Sequence, residues 1–196
     1  MPERWNESAS YWAIMSKSEL VSNVLIRRAL MEESFAIASI LRQAFVEFEP
    51  LYTPPAFAAT TPTSNEIQAR WDEGPVWVAV QNQNLVGTVA AVPKTAGLYV
   101  RSMAVLPHAR GQMIAWHLLR EIESFARTNR HKHLFLSTTP FLGSAIHLYE
   151  SFGFKRNDEG PRDLFGTPLF TMVKQLETIR TASKDGGRRA RQNEES

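Results

Sequence analysis

The sequence predicts a single α/β domain built on one mixed β-sheet, and three observations carry that prediction. Strand-like apolar runs alternate with amphipathic helical stretches along most of the 196 residues. Three strand-like runs follow one another with short polar turns between them near the middle of the chain, as in a meander. The length suits one core: a chain of about 150 ordered residues buries roughly 70% of its unfolded surface, and 43% of these residues are hydrophobic.

The elements follow in order. Residues 1–22 have neither a helical nor a strand period and are read as an extension; the domain runs over 23–176. Residues 23–29 hold Val24, Leu25 and Ile26 between basic residues and suit a first strand. Over 32–48, apolar Phe35, Ile37, Ala38, Ile40, Leu41, Ala44 and Phe45 recur at three- and four-residue spacings, which predicts an amphipathic helix. Pro50, Pro54 and Pro55 then stop it and open an irregular segment. A weaker helix is expected over 64–73. Strands over 76–81 and 85–92 flank the polar turn Asn82, Gln83, Asn84, and a third over 98–105 follows Gly97. Residues 111–128 form the strongest helix, with Ile114, Leu118, Ile122 and Phe125 beside Ala115, Leu119 and Ala126 on one broad stripe. A central strand over 133–138 and a short helix over 141–151 come next; Gly153 can take the positive φ of a helix terminus. Strands over 154–156 and 168–173 close the domain around a polar loop. Residues 177–196 carry GRRAR but no apolar period and read as a disordered basic tail.

Composition excludes several classes. The chain has no cysteine, which rules out a disulfide framework, a cysteine zinc site, an iron–sulfur cluster and a thiol nucleophile. No apolar run approaches the roughly 20 residues a membrane helix needs, and the N-terminus carries charges where a signal peptide would be apolar. A soluble cytoplasmic protein with no membrane partner is expected. The net charge is only +2 with basic residues scattered, so no nucleic-acid partner is expected.

Chemistry concentrates in two stretches. In VLPHARGQMIA a strand passes through a tight loop into the strongest helix. The first turn of a helix presents unpaired N–H groups and the positive end of its dipole, an anion site. Arg110 adds a cation beside it and Gly111 lets the loop turn sharply. Further on, LFLSTTPFLGSAIHLYESFGF feeds a strand into a short helix on which Ala145 and Tyr149, four residues apart, share a face.

Together these two stretches resemble the GNAT superfamily of acyl-CoA-dependent N-acetyltransferases, over roughly residues 23–176. In the first motif Arg110 and Ala115 match the outer positions of the phosphate loop, while Met113 replaces a patterned glycine. In the second, Ala145, Leu148, Tyr149, Gly153 and Phe154 match, and Leu142 stands where many members carry asparagine. The resemblance implies a mixed, splayed sheet flanked by helices in three layers. Its two parallel central strands, 98–105 and 133–138, part to admit the pantetheine of acetyl-CoA. It further implies that the backbone of Met103, Ala104 and Val105 holds the pantetheine and polarises the thioester carbonyl. The amides of Gly111, Gln112, Met113, Ile114 and Ala115 would hold the pyrophosphate, with Arg110 beside them. Thr138 would lie against the cofactor, and Tyr149 would contact the sulfur and protonate the departing thiolate as general acid.

The activity so implied is acetyl transfer from acetyl-CoA, as acyl-donor cosubstrate, to a primary amine of a small molecule or protein, with no metal. The strand over 98–105 contains no carboxylate, so a water relay or a neutral amine is the expected route for the proton. Glu47 and Glu49, with Phe48 and Tyr52, are a candidate acidic and aromatic mouth for a cationic amine. His131 and His133 read as a solvated turn, and His117, His147 and Glu150 as surface groups. Trp116 is expected to pack on the sheet. A homodimer is compatible with the sequence. Two other readings remain open at this stage: a silent acyl-CoA-binding module, favoured by Met113 and Leu142, and an adaptor whose basic tail binds nucleic acid.

Overall fold

The computed structural model describes residues 24–176; the expected extension and basic tail lie outside them. The first strand, β1 (Val24–Arg28), leads into helix α1 (Ser34–Phe45). α1 ends at Phe45, short of the expected boundary, and a 3-10 turn from Val46 to Leu51 carries Pro50. The next stretch is not irregular: α2 (Pro54–Thr60) begins on its two prolines, because proline lacks only an N–H that the first helical turn leaves unpaired anyway. α3 (Ser64–Ala69) starts at a capping box in which Glu66 N donates to Thr63 Oγ1 and Thr63 N donates to Glu66 Oε2.

The meander is β2 (Val76–Gln81), β3 (Asn84–Lys94) and β4 (Gly97–Val105). Helix α4 (Ile114–Thr128), strand β5 (His133–Thr138) and helix α5 (Gly143–Ser151) follow. The closing part is β6 (Lys155–Asn157), a two-stranded ribbon of β7 (Asp163–Leu164) and β8 (Thr167–Pro168), and β9 (Phe170–Gln175). That ribbon lies inside the stretch read as a polar loop. The long sheet has the order β1-β2-β3-β4-β5-β9-β6, antiparallel except where β4 meets β5. The predicted architecture, a mixed sheet between helical layers, is the one observed.

Both β4–α4–β5 and β5–α5–β6 connect strands of like direction and step the same way across the sheet, so right-handed crossovers place α4 and α5 on one face. Trp116 of α4 accordingly meets Phe152, just past α5, edge to face at 4.9 Å rather than resting on the sheet alone. α1 packs on β3 and β4 as α4 does, from the opposite face. The core between them includes Leu41, Val78, Val89, Leu98, Leu118, Ile122 and Leu134, all fully buried. Along β5, Leu134, Leu136 and Thr138 are buried whereas His133, Phe135 and Ser137 are only half-buried, so among the described residues the α1 side of the sheet is open over β5 and β9.

Candidate functional site

β4 and β5 pair at only two rungs, Leu98 with Leu134 and Tyr99 with Phe135. From Val100 onward β4 offers an unpaired backbone edge toward β5, and the expected wedge is present. Its physical cause lies in β4. Ala104 stands opposite Thr88 and Arg101 opposite Ala90, so two residues, Ser102 and Met103, face Val89 alone. This is a β-bulge, with Ser102 in the left-handed region at φ +52°. A bulge bends its strand and sharpens its twist, and here it falls just beyond the last rung. Met103, Ala104 and Val105 therefore line the wedge with their backbone.

The phosphate loop needs left-handed backbone at both Gly111 (φ +76°) and Met113 (φ +61°). A Cβ at Gly111 would meet nothing, and Met113, 59% exposed, is the N-cap of α4. The first-turn amides of Ile114 and Ala115 have no partner within the helix; the ladder starts where His117 N donates to Met113 O at 3.0 Å. Gln112 is pinned by Gln81, whose Nε2 donates to its Oε1 at 2.7 Å. A non-glycine residue in the left-handed region costs about 1–2 kcal/mol. Met113→Gly should recover part of this, raising Tm or leaving it unchanged, while calorimetry finds CoA binding equal or tighter.

Arg110 is not the free cation that the sequence suggests. Its Nη1 is ion-paired with Glu47, its Nη2 donates to Ala44 O at 2.9 Å and its Nε reaches Val105 O at 3.4 Å. The guanidinium thus ties the phosphate loop to the end of α1. Glu49 in turn pairs with Arg42, so neither carboxylate of the expected acidic mouth stands alone. Both pairs are largely exposed, a class worth about 0–1 kcal/mol. The link was hidden in sequence because Arg110 and Glu47 lie far apart along the chain.

Tyr149 is 8% exposed, its ring packed against Phe154 at 5.8 Å. Burial pushes its phenol well above the ordinary tyrosine range, and the nearby Tyr99 and Tyr52 phenols push it further. Tyr99 sits on the last paired rung of β4 and β5, so the Tyr149 phenol lies within electrostatic reach of that rung. Tyr52, whose ring meets Phe141 edge to face at 4.9 Å, is also raised by burial, opposed by the hydroxyls of Thr139 and Thr60. Thr139 is 4% exposed; although it acts electrostatically on Tyr52, its Oγ1 makes no hydrogen bond of acceptable geometry among the described residues. Thr138 is buried at the end of β5. Leu142 is the N-cap of α5 and supplies no side-chain acceptor, where asparagine would have capped the helix.

Sequence reasoning missed the bulge at Ser102 and the buried hydroxyl of Thr139 beside Tyr52. Neither carries a local signal: serine is unremarkable in a strand, and the hydroxyl acquires meaning only through burial. Glu150 and His147 are exposed, 3.7 Å apart, as expected of surface groups. Among the described residues no three histidine, aspartate or glutamate side chains converge as a metal site would require, and no helix is long and apolar enough to cross a membrane.

Comparison with known proteins bears on this site. The chain is 29% identical over 140 residues to an uncharacterized N-acetyltransferase, YjgM, of Escherichia coli K12, covering 68% of this chain and 83% of that protein. It is 40% identical over 85 residues to the N-acetylaspartate synthetase of Danio rerio and 35% identical over 89 residues to human N-acetyltransferase 8B, but spans only 30% and 39% of those proteins. Among solved structures, the PaiA N-acetyltransferase of Thermoplasma acidophilum in complex with coenzyme A superposes with a TM-score of 0.65 at 15% identity. The match covers 79% of this chain and all of that one, a likeness of fold. The model of the GNAT acetyltransferase family matches residues 39–154, more than half of the chain, and the protein is a member of that family.

Proposed function

We propose that the protein transfers an acetyl group from acetyl-CoA to a primary amine of a small molecule or protein, by direct attack with both substrates held at the wedge. One observation carries this: the β4 edge opens immediately past Tyr99, whose phenol acts on the buried phenol of Tyr149. The residues present fit the cosubstrate. An unpaired strand edge can hydrogen-bond an extended pantetheine as it would another strand. The loop around Gly111 and the unpartnered amides of Ile114 and Ala115 suit a pyrophosphate.

When bound, acetyl-CoA supplies the activated thioester. The backbone of Met103, Ala104 and Val105 holds its pantetheine, and an N–H of that segment polarises the thioester carbonyl. Arg110, committed to Glu47 and Ala44, shapes the loop more than it offers charge. Thr138 backs the cofactor side of β5. Tyr149, kept neutral by burial, holds the proton that the departing thiolate takes up. Bringing amine and thioester together supplies the rest, because proximity turns a bimolecular step into a unimolecular one. No carboxylate of β4 serves as base and Glu47 and Glu49 are ion-paired, so a water relay or an amine that arrives neutral is the proposed route for the ammonium proton. A cytoplasmic setting is part of this proposal, and the proposed boundaries of the catalytic domain are residues 23–176.

Calorimetry with CoA and thiol release from acetyl-CoA across a panel of amines test this together. Binding with amine-dependent release is the expected result. Binding with no release on any amine would instead establish a silent acyl-CoA-binding module, the reading that Met113 and Leu142 favour.

A further inference from the structure

The open side of the sheet over β5 and β9 holds a groove of about 670 Å³, within the roughly 300–1,000 Å³ typical of small-ligand sites. Its floor has two rows set by register. Tyr99, Phe135 and Val173 stand abreast, the first two rings 5.1 Å apart. One step along the strands, Ser137, Thr171 and Asn157 stand abreast on the same face. Thr171 is 6% exposed, yet its Oγ1 has no hydrogen-bond partner among the described residues. That atom is sealed from solvent, so the polar lining open to a ligand in this row is half-buried Ser137 and Asn157. The Glu159, Gly160, Pro161 turn walls the groove, with Gly160 packed so closely on Thr171 that a side chain there would strike the hydroxyl. Charge is confined to exposed Lys94 and Glu159 and to half-buried His133. The floor begins at Tyr99 and Phe135, the last paired rung before the wedge, so the groove runs up to the wedge.

Resting on the acetyl-transfer reading, we propose that this groove is the acceptor subsite. It selects a primary amine with an uncharged aromatic or branched apolar body bearing a hydrogen-bonding hydroxyl or amide, over an acidic amino acid or a polyamine. The apolar body lies on Tyr99, Phe135 and Val173, and its polar group meets Ser137 and Asn157 in the second row. Among the described residues, an acidic acceptor would lay a carboxylate over that apolar row with only exposed Lys94 at the rim to pair it, and a polyamine would find only one carboxylate, exposed Glu159.

The test titrates tyramine, phenethylamine, L-aspartate and spermidine into the full chain saturated with CoA. Tyramine should bind at least about tenfold more tightly than aspartate or spermidine, a ratio of the size that one or two desolvated contacts supply. Ser137→Ala should weaken tyramine about five- to tenfold, the range of one neutral hydrogen bond, and leave phenethylamine unchanged. Its Tm should hold, because Ser137 is only half-buried. Phe135→Ala should weaken both aromatic amines, with CoA affinity within twofold. Tighter binding of aspartate or spermidine, or tyramine binding indifferent to both variants, overturns the proposal. Thiol release then separates it from the reading it rests on. Release on aspartate or spermidine but not on tyramine refutes the selectivity and leaves acetyl transfer standing. Tyramine binding that responds to both variants, with no release on any amine, refutes acetyl transfer and leaves the ligand class standing.

Discussion

Tyr149→Phe is expected to lower kcat roughly ten- to ten-thousand-fold, the range for loss of a positioned general acid, with CoA affinity within twofold. The substitution removes one oxygen and keeps the ring that packs on Phe154, so a thermal melt should show little change while thiol release falls. An unaltered kcat would make Tyr149 structural. The pH behaviour follows from the same environment. Burial, reinforced by Tyr99 and Tyr52, raises this phenol above the ordinary tyrosine value, so it stays protonated well past neutrality and contributes no alkaline limb to kcat there. Any rise of rate with pH then belongs to the acceptor ammonium losing its proton. The same shift has a stability side: above about pH 10 the unfolded chain ionises this tyrosine while the folded chain does not. The unfolded state then holds fewer protons, and stability falls as pH climbs through that range.

Phe154→Ala should be the most damaging single change near the site. Phe154 is 2% exposed and its ring lies against both Tyr149 and Phe152. Deleting a buried phenylalanine costs about 3–5 kcal/mol, which for a domain of this size lowers Tm by roughly 6–20 °C. The loss should also reach catalysis, because the wall that holds the Tyr149 ring is gone and a misplaced acid transfers its proton less well. Melting and thiol-release assays on one preparation check both, and Phe154→Leu should recover most of the Tm. A collapse in Tm with kcat untouched in the folded fraction would show that Phe154 does not position Tyr149.

Periodicity was a sufficient guide wherever burial is one-sided. The stripe through Ile114, Leu118 and Ile122 placed α4, and Leu134 and Leu136 placed β5, within a few residues of their observed bounds. It failed where a residue's effect depends on position within an element. Pro54 and Pro55 look like breakers but are tolerated, indeed favoured, in a helix's first turn. Asp163, whose Oδ1 accepts from Gly166 N at 3.0 Å, closes the β7–β8 turn inside a stretch whose polarity suggested only a loop. The site divides along the same line. Tyr149 and the loop around Gly111 were legible from their local pattern. The Arg110–Glu47 link, the Ser102 bulge and the unpartnered hydroxyls of Thr139 and Thr171 depend on chain segments that meet only after folding, and no short-range pattern encodes them.

The bulge at Ser102 gives β4 one residue of slack relative to β3. Side chains in a strand alternate faces with period two, so a single deletion at Ser102 or Met103 would re-phase everything downstream, turning Ala104 and Val105 over and straightening the strand toward β5. Room for a ligand in this fold is thus held by a one-residue surplus, a far smaller change of sequence than a new loop or domain would require.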